Sequence, residues 1–450
     1  MTTVEFQKKF NHDIAYINLE NGVYSFGFTD LKIADDFYIA LKERGCKVDY
    51  LFNQKGEWPK VTLDINCLKE EGLFLSLSNI LSEIDKWKEK VVRNSTKRAY
   101  CVEYPTEEFI KGLGQSTWQG CPGIAVTKNG RIFVSVYSGG PSEPHPDNYT
   151  YLIYSDDDGK TWSKPVFATF GSREDLVHTV DLQVATNSDG SLDIFWVQED
   201  YLKNDKFINN YGCYFYDTEH AFFTVNVANP DADKLVFSKP KYISKGFMRN
   251  KPIELSNGEK IYFAYDQDSD RYGVTISSDG KDFKRIYGGK KLPSPFDETM
   301  GYELKDKSIR MLARTSVDYL AESYSFDGGY TWTDAVKTDV QNSNTRFYVG
   351  RTPSGKILLI NNEGVNVPKD LRTNLTAYLS SDDGKTFKVK RLLDDRLAVA
   401  YPDVDYYEGK IYLIYDRGRE KENEIILAIF TEDELLKEDF NLEKRVISKL

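Results

Sequence analysis

Histidine and cysteine, the side chains that commonly bind zinc, are few in this 450-residue sequence. Its four histidines are scattered, and its five cysteines contain no CxxC pair, so neither a multi-histidine site nor a zinc site is expected. Three proton-carrying groups instead share the segment PSEPHPDNYT: Glu143, His145 and Asp147. Groups of these types act as general acids and bases. The residue types therefore favour proton-transfer chemistry that needs no metal or cofactor.

A second combination is found in the segment DETMGYELKDKSIRMLART. Glu298 and Arg314 are 16 residues apart, about the separation that two antiparallel strands need to bring such residues together. The spacing predicts that the two side chains meet. It leaves open whether they form a salt bridge at a rim or part of a functional site.

The elements that must position these residues differ between the two parts of the chain. Residues 1–100 contain two stretches with apolar residues at helical spacing, TDLKIADDFYIALKERG and SNILSEIDKWKEKVV, with short apolar runs between them. From residue 101 onward, short alternating strands follow one another and are separated by NG, DG, SG or EG turns. A last helical turn is expected in EDELLKED. The sequence predicts a small α/β domain over 1–100 and an all-β domain over 101–450.

A repeat organises the all-β part. The pattern S-x-D-x-G-x-T-[WF] begins at Ser155, Ser325 and Ser380, and a shortened copy begins at Ser277. In each copy the Asp can bond turn backbone groups and the Gly tolerates a positive φ. Neighbouring copies lie 48 and 55 residues apart, an interval that suits one four-stranded propeller blade.

These repeats resemble the Asp boxes of the sialidase superfamily. The segments TWQGCPGIAV, NKPIEL, FDETMGYEL and TRFYVGRTPSGK resemble a bacterial branch of sialidase-like propellers, and the resemblance covers about residues 115 to 435. It implies a mainly β fold, a six-bladed β-propeller that is preceded by the small α/β domain.

The resemblance also implies roles for individual residues. Tyr401, in AYPDVDYYEGKIYLIYDRG, matches the nucleophile, Glu298 its base, and Arg314 and Arg372 a clamp for the substrate carboxylate. A neutral tyrosine suits a sugar whose anomeric carbon carries a carboxylate, because an acidic nucleophile would be repelled. Arginine forks bind such a carboxylate through two parallel hydrogen bonds. Asp147 is favoured as the acid/base, with the other two groups of its segment as alternatives.

The chain departs from the family pattern at one point. Gly120-Cys121-Pro122 stands where sialidases carry Arg-Ile-Pro, so the first clamp arginine is absent. Arg346 or Lys251 is expected to supply the missing charge, and Gln119 a polar contact. Asp403 matches the Asp that follows the nucleophile. We therefore expect Arg346, Gln119 and Asp403 to contact substrate.

These features favour an exo-sialidase-like glycoside hydrolase that removes a terminal acidic sugar. Two alternatives stay open: a propeller hydrolase or lyase acting on another uronic-acid or rhamnose-containing glycan, and a non-catalytic carbohydrate-binding propeller. The net charge of -11 argues against a nucleic-acid partner, and the lack of a long apolar run argues against a membrane span. No secretory signal is visible, so a cytoplasmic location is expected. The sequence leaves the oligomeric state open.

Overall fold

A computed structural model describes most of the chain. It covers residues 6, 14–20, 23–28, 31–51, 60–64, 70, 72–73, 75–79, 99–113, 116–143, 145, 147–172, 177–200, 220–266, 269–294, 296–368 and 371–450. The protein is mainly β, as the sequence predicts. None of the described helices combines the length and the apolar character that crossing a bilayer requires.

The described residues of the N-terminal part form one antiparallel sheet and a helix that packs on it, and residues 72–73 and 75–79 are also helical. The sheet has the order β1-β2-β4-β3 and consists of β1 (Ile14–Glu20), β2 (Val23–Phe28), β3 (Val48–Leu51) and β4 (Lys60–Leu63). The predicted first helix is present as α1 (Leu31–Glu43). Its Phe37 ring lies 5.2 Å from that of Phe26 and 4.9 Å from that of Phe28, so the apolar face of the helix packs on the sheet. The second predicted helix falls largely on residues outside the described ranges.

Six antiparallel sheets follow in the described part of the chain, each built from consecutive or nearly consecutive strands. The first has the order β5-β9-β8-β7-β6, and a short helix, α2 (Glu107–Gly112), follows β5. Its strands are β5 (Cys101–Glu103), β6 (Gln119–Val126), β7 (Ile132–Ser138), β8 (Tyr149–Ser155) and β9 (Phe167–Phe170). The second runs β10 (Val177–Thr186), β11 (Leu192–Asp200), β12 (Ala221–Val227), β13 (Lys241–Lys245).

The third and fourth sheets follow the same plan. The third consists of β15 (Ile253–Glu254), β16 (Lys260–Tyr262), β18 (Arg271–Ser277) and β19 (Lys284–Lys290). Two further short strands pair with each other: β14 (Phe247–Met248), which precedes β15, and β17 (Ala264–Tyr265), which lies between β16 and β18 in sequence. The fourth consists of β20 (Met300–Glu303), β21 (Ile309–Ala313), β22 (Tyr319–Ser325) and β23 (Val336–Gln341).

The last two sheets complete the series. The fifth consists of β24 (Tyr348–Arg351), β25 (Ile357–Asn362), β26 (Leu375–Ser380) and β27 (Val389–Asp394). The sixth consists of β28 (Val399–Tyr407), β29 (Lys410–Arg417), β30 (Glu424–Thr431) and β31 (Lys444–Lys449). The helical turn predicted in EDELLKED is α3 (Glu432–Leu436), which begins with a capping box.

The Asp boxes are turns that follow β8, β18, β22 and β26, which occupy equivalent places in their sheets. In the three full copies an Asp carboxylate accepts a 2.8 Å bond from the backbone N–H of the box threonine. The box serine hydroxyl accepts a bond from the box glycine N–H, at 2.7 to 2.9 Å. The repeat therefore specifies a turn geometry and contributes no group to the site described below.

Five sheets each have, at one end of their order, a strand that contacts such a strand of another sheet, and we call these strands, β6, β10, β20, β24 and β28, the first strands of their sheets. β6 contacts β10 on one side and β28 on the other, and β24 contacts both β20 and β28. Carboxylates of the sixth sheet bond backbone amides of β6: Asp403 accepts from Ile124 at 2.8 Å, and Asp405 accepts from Val126 at 2.7 Å. The first and last sheets are thus joined through side chains.

Four residues near these first strands have left-handed backbone conformations. Cys121, Asp181 and Tyr401 have φ of 49°, 41° and 57°, and each lies at a register shift between the first two strands of its sheet. Glu298, just before β20, has a φ of 39°. A bulge re-aims the side chain that it carries, and such conformations cluster at functional sites. These positions lead directly to the candidate site.

Candidate active site

Tyr401 and Glu298 form the centre of the site. The Tyr401 hydroxyl donates a 2.6 Å hydrogen bond to Oε1 of Glu298. Both side chains are buried, at 3% and 1% exposure. The structure therefore brings together, from two different sheets, the two residues that the resemblance pairs as nucleophile and base.

Two arginines hold this pair from either side. Nη1 of Arg314 donates to Glu298 Oε2 at 2.8 Å and to the Tyr401 hydroxyl at 3.2 Å. Nη1 of Arg249 donates to Glu298 Oε1 at 3.0 Å and to the same hydroxyl at 3.3 Å. Each guanidinium thus bridges both members of the pair, and the predicted meeting of Glu298 and Arg314 is present.

The charges around the pair set its protonation. Burial alone would raise the pKa of Glu298, but Arg314 and Arg249 more than offset it and hold the pKa at about 2. Burial, together with the Glu298 charge, raises the pKa of Tyr401 above its ordinary value. At neutral pH the pair is therefore an ionised carboxylate that accepts a hydrogen bond from a neutral phenol.

Three further arginines surround the Tyr401 ring. The guanidinium carbon lies 3.9 Å from the ring centroid for Arg419, 4.9 Å for Arg346 and 6.0 Å for Arg372. Arg346 is fully buried, and it donates to the backbone carbonyls of Arg249, Pro122 and Tyr401. Arg346 thus fastens the backbone next to the ring, while its buried Nε has no hydrogen-bond partner among the described residues, and its predicted contact with substrate stays a prediction.

Arg372 lies beside Arg314, and both contact Asn344. Arg314 Nε donates to the Asn344 side chain at 2.7 Å, and Arg372 Nη2 donates to its carbonyl. Nε of Arg372 is buried and has no hydrogen-bond partner among the described residues. Burial and the nearby charges of Arg314 and Arg419 lower the pKa of Arg372 to about 10. This guanidinium carries a charge that no carboxylate of the described residues neutralises by direct contact.

Besides Glu298 at its Nη1, Arg249 contacts two further carboxylates, those of Glu143 and Asp181. Glu143 accepts from Arg249 Nη2 at 2.8 Å and from Arg419 Nη1 at 3.1 Å, so it joins two arginines that contact Tyr401. Asp181 pairs with Nε of Arg249. Burial raises the pKa of Asp181 to about 6, against the opposing charge of Arg249.

The three acid/base candidates occupy different surroundings. Asp147 donates its backbone N–H to Nδ1 of His145 at 3.1 Å, and its carboxylate lies 3.7 Å from that atom. Glu143, the third group of the segment, bonds Arg249 and Arg419 of the arginine cluster.

Gln119 and Asp403 are not brought to the Tyr401 hydroxyl by the structure. Gln119 bonds the Asn423 carbonyl and the Ser448 hydroxyl. Asp403 bonds the Ile124 amide and lies 3.4 Å from Lys251 Nζ, which itself donates to the Val404 carbonyl. These contacts are internal to the fold, and their predicted role in substrate binding stays a prediction.

Sequence reasoning missed Arg249 and Arg419. Arg249 lies two residues before Lys251 in the segment RNKPIEL, which the resemblance covers, so a signal was present. Arg419, in DRGRE, reads as an ordinary charged turn after a strand. In this segment Asp416 contacts Arg419, at 2.9 Å, and Arg417 pairs with Glu422 and Glu424.

One trio of the described residues has metal-binding groups close together. Ligand atoms of Cys121, Glu143 and Asp181 all lie within 4.8 Å of one another. Arg249 contacts both carboxylates, and its charge opposes a cation at this point. Burial also raises the pKa of the Cys121 thiol, which favours its protonated form.

A cavity of about 450 Å³ is lined by Ala400, the residue before Tyr401, and by two arginines that contact the Tyr401 ring, whereas Tyr401 and Glu298 are not among its lining residues. Its lining includes Arg372 and Arg419, and it is completed by Ala398, Ala400, Asp416, Gly418, Glu420, Lys421 and Glu422. A volume of this order accommodates a small ligand. The site thus combines an ionised carboxylate, a buried phenol and a cavity bordered by two guanidinium groups.

Comparison with known proteins identifies the class. Residues 133–413, more than half of the chain, match the family described as the BNR repeat-like domain. The chain belongs to this family, and it is a sialidase-like member of the Asp-box superfamily, as its repeats predict. No curated protein matches it in sequence.

Solved structures give the same fold. The intramolecular trans-sialidase from Ruminococcus gnavus is 16% identical over 70% of this chain and 94% of that chain, with a TM-score of 0.54. The leech intramolecular trans-sialidase is 14% identical over 87% and 74%, with a TM-score of 0.55. A protein of unknown function from Dyadobacter fermentans is 18% identical over 72% and 95%, with a TM-score of 0.53. At these identities the likeness concerns the fold alone.

Proposed function

We propose that the protein is an exo-sialidase-like glycoside hydrolase that removes a terminal acidic sugar through a tyrosine nucleophile. The observation that carries the proposal is the 2.6 Å bond from the Tyr401 hydroxyl to an ionised Glu298, held by Arg249 and Arg314. A phenol is a weak nucleophile at neutral pH until an adjacent base takes its proton. Glu298 is that base.

The reaction has two steps. In the first, Tyr401 Oη attacks the anomeric carbon while Glu298 takes its proton, and the bond to the leaving oxygen breaks as an acid supplies a proton to that oxygen. In the second, the conjugate base of that acid takes a proton from water as the water oxygen attacks the anomeric carbon. The bond from that carbon to Tyr401 Oη breaks, and Glu298 returns its proton to the phenolate oxygen. Two inversions give net retention. Asp147 is the acid predicted from sequence, and the two contacts of Glu143 with arginines of the site make it the competing candidate.

The acidic class of the sugar follows from Arg372. A buried guanidinium with no carboxylate in direct contact attracts an anion, and a carboxylate matches its planar fork. Arg314 and Arg372, which share Asn344, form the clamp in this proposal. A neutral phenol beside them avoids the repulsion that an acidic nucleophile would impose on the same substrate.

The architecture in this proposal is a six-bladed propeller over residues 101–450, preceded by a separate α/β domain over 1–100. Six successive antiparallel sheets and the bonds from the sixth sheet to β6 support the propeller. A core of its own, in which Phe37, Leu41 and Val61 are fully buried, supports the N-terminal domain.

The test is release of 4-methylumbelliferone from its α-sialoside by the wild-type protein and by Tyr401→Phe. We expect release by the wild type and loss of at least 1,000-fold, on the order of removing a nucleophile, in the variant. Tyr406→Phe is the matched control, because this tyrosine of the same strand bonds Tyr348 and not Glu298. Release that persists in Tyr401→Phe would overturn the nucleophile.

If the wild type releases nothing, a panel of uronic-acid and rhamnose-containing glycans separates the alternatives. A product that absorbs in the ultraviolet indicates a lyase, and a saturated product indicates a hydrolase of another sugar. Binding without any product indicates a non-catalytic carbohydrate-binding protein.

A further inference from the structure

We propose that Arg419, which follows the second strand of the sixth sheet, is a specificity-determining residue that binds the substrate's acidic group together with Arg372, and that Gly120 provides the space for it. The inference rests on the proposed function and extends it to a residue that the sequence pattern does not indicate. It also accounts for the departure at Gly120-Cys121-Pro122, where no arginine is present.

The Arg419 side chain packs directly against the backbone of Gly120. A Cβ atom added to Gly120 would lie 2.8 Å from Cδ and Nε of Arg419 and 2.9 Å from its Cγ. Contacts this short are not tolerated, so the Arg419 side chain fills the volume that a side chain at position 120 would need. A glycine at this point of β6 therefore admits a guanidinium that comes from another sheet.

The orientation of Arg419 is fixed by contacts with Asp416 and with β6. Asp416 holds Nε of Arg419 at 3.0 Å and Nη2 at 2.9 Å, and the same carboxylate oxygen accepts the Cys121 amide at 2.8 Å. The Arg419 carbonyl in turn accepts the Gln119 amide at 3.3 Å. Main chain and side chain of Arg419 are thus both fastened to β6. The guanidinium is held over the Tyr401 ring, 3.9 Å from its centroid.

Arg372 and Arg419 both line the same cavity, whose other charged lining residues are Asp416, Glu420, Lys421 and Glu422. An acidic group of a ligand in this cavity can therefore reach two guanidinium groups. Asp416 occupies one edge of the Arg419 guanidinium, whereas Nη1 is bonded to Glu143, a residue of the segment that follows β7. A substrate carboxylate can replace Glu143 at Nη1 while Asp416 keeps the side chain in position. Arg372, whose buried Nε has no partner among the described residues, lines the same cavity and is the donor that we assign to the second oxygen.

The decisive experiment compares binding of an acid with binding of its neutral ester by calorimetry. The probes are N-acetylneuraminic acid, D-glucuronic acid and the methyl ester of each. We expect Arg419→Gln to weaken the acid that the wild type binds by at least tenfold and its ester by less than twofold. Arg417→Gln is the matched control in the same turn, since Arg417 pairs with Glu422 and Glu424, and it should leave both affinities unchanged. Equal losses for acid and ester, no loss, or a wild type that binds neither acid would overturn the inference.

This measurement does not depend on turnover. A protein that binds an acid through Arg419 and hydrolyses nothing would refute the proposed reaction and support this inference. Activity that survives Arg419→Gln with an unchanged KM would support the proposed reaction and refute this inference.

A second experiment tests whether Arg419 occupies the volume that a side chain at position 120 would need. In the wild-type background Gly120→Ala should lower both the melting temperature and the affinity for the acid, because the new methyl group displaces Arg419. In the Arg419→Ala background the same substitution should cost much less, because the obstructing atoms are gone. Additive losses in the two backgrounds would contradict the steric argument.

Discussion

The hydroxyl of Tyr401 and Oε1 of Glu298 are 2.6 Å apart, although 103 residues separate them in sequence. Both residues have a positive φ, so each backbone adopts a left-handed conformation where its side chain enters the site. Two such costly conformations persist only when the surrounding structure enforces them. The pair is thus a product of the whole β fold and not of one local motif.

Replacing the base should slow the reaction without removing the nucleophile. We expect Glu298→Gln to lower kcat by about 100- to 10,000-fold, because an amide cannot take the phenolic proton. Steady-state kinetics on the substrate identified in the glycan screen measures the effect. The neighbouring Asp297→Asn is the control, since Asp297 bonds Lys291 and not Tyr401. A kcat within twofold of the wild type in Glu298→Gln would contradict the role of base.

Arg249 should matter for stability as well as activity. It contacts Glu298, Glu143 and Asp181, so Arg249→Met leaves three buried or nearly buried carboxylates without this partner. We expect the free energy of unfolding to fall by about 3–5 kcal/mol, as when one member of a buried ion pair is removed. Denaturant unfolding measures the loss.

Arg445→Gln provides a matched control for the Arg249 variant. Arg445 pairs with Glu443 at the surface, and a pair of this kind is worth about 1 kcal/mol or less. Similar losses in the two variants would show that Arg249 is no more important than a surface arginine.

The depressed pKa of Glu298 predicts a pH dependence of stability. The ionised form is favoured in the folded state, so this contribution is present above the ordinary pKa of 4.5 and is lost as the pH falls from 4.5 toward about 2. A shift of this size corresponds to about 3 kcal/mol. The free energy of unfolding of the wild type minus that of Glu298→Gln should therefore decrease over this interval.

The comparison must be a difference between the two proteins, because Asp181 and Asp297 titrate in the opposite sense. Burial raises the pKa of each to about 6, so their ionisation disfavours the folded state as the pH rises from about 4 to 6. A difference curve that stays flat between pH 4.5 and 2 would contradict the depressed pKa of Glu298.

The Asp boxes should affect stability and not the chemical step. Asp382 accepts bonds from the backbone and the hydroxyl of Thr386 and from Ser380, so Asp382→Ala removes the bonds that fix its turn. We expect the melting temperature to fall by a few degrees while kcat is unchanged. Asp395→Ala is the matched control, because it removes the same charge at an exposed position. The backbone carbonyl of Asp395 accepts a hydrogen bond from the Thr373 hydroxyl, and this bond does not need the carboxylate. Both values should stay near those of the wild type in this control, and an equal fall in melting temperature would contradict the role of the box.

The parts of the fold that depend on local pattern were predictable. The Asp boxes specify turns through hydrogen bonds within eight residues, and the apolar spacing of Ala34, Phe37 and Leu41 specifies a helix. The pairing of Glu298 with Arg314 follows from a spacing that two strands and a turn can span. The roles of Tyr401 and Arg372 came from resemblance, because nothing in their local sequence marks them.

The parts that depend on contacts between distant sheets were not predictable. Arg249 reaches Glu143, which lies 106 residues earlier, and Arg419 reaches the same residue across 276 positions. The bonds of Arg346 to three backbone carbonyls were also not predictable, since one sequence does not reveal which groups surround a buried guanidinium. From sequence, Gly120 indicates only that an arginine of the family pattern is missing. The arginine whose side chain lies against it, Arg419, is almost 300 residues later in the chain.

The bonds between β6 and the sixth sheet have a consequence for how the protein is made. The amides of Cys121, Ile124 and Val126 are bonded by Asp416, Asp403 and Asp405, which a ribosome adds about 280 or more residues later. Until then these donors have no acceptor, and burying them would be costly. We expect the first sheet to remain hydrated at that edge during synthesis, so the β domain matures as one cooperative unit after its last sheet has been translated.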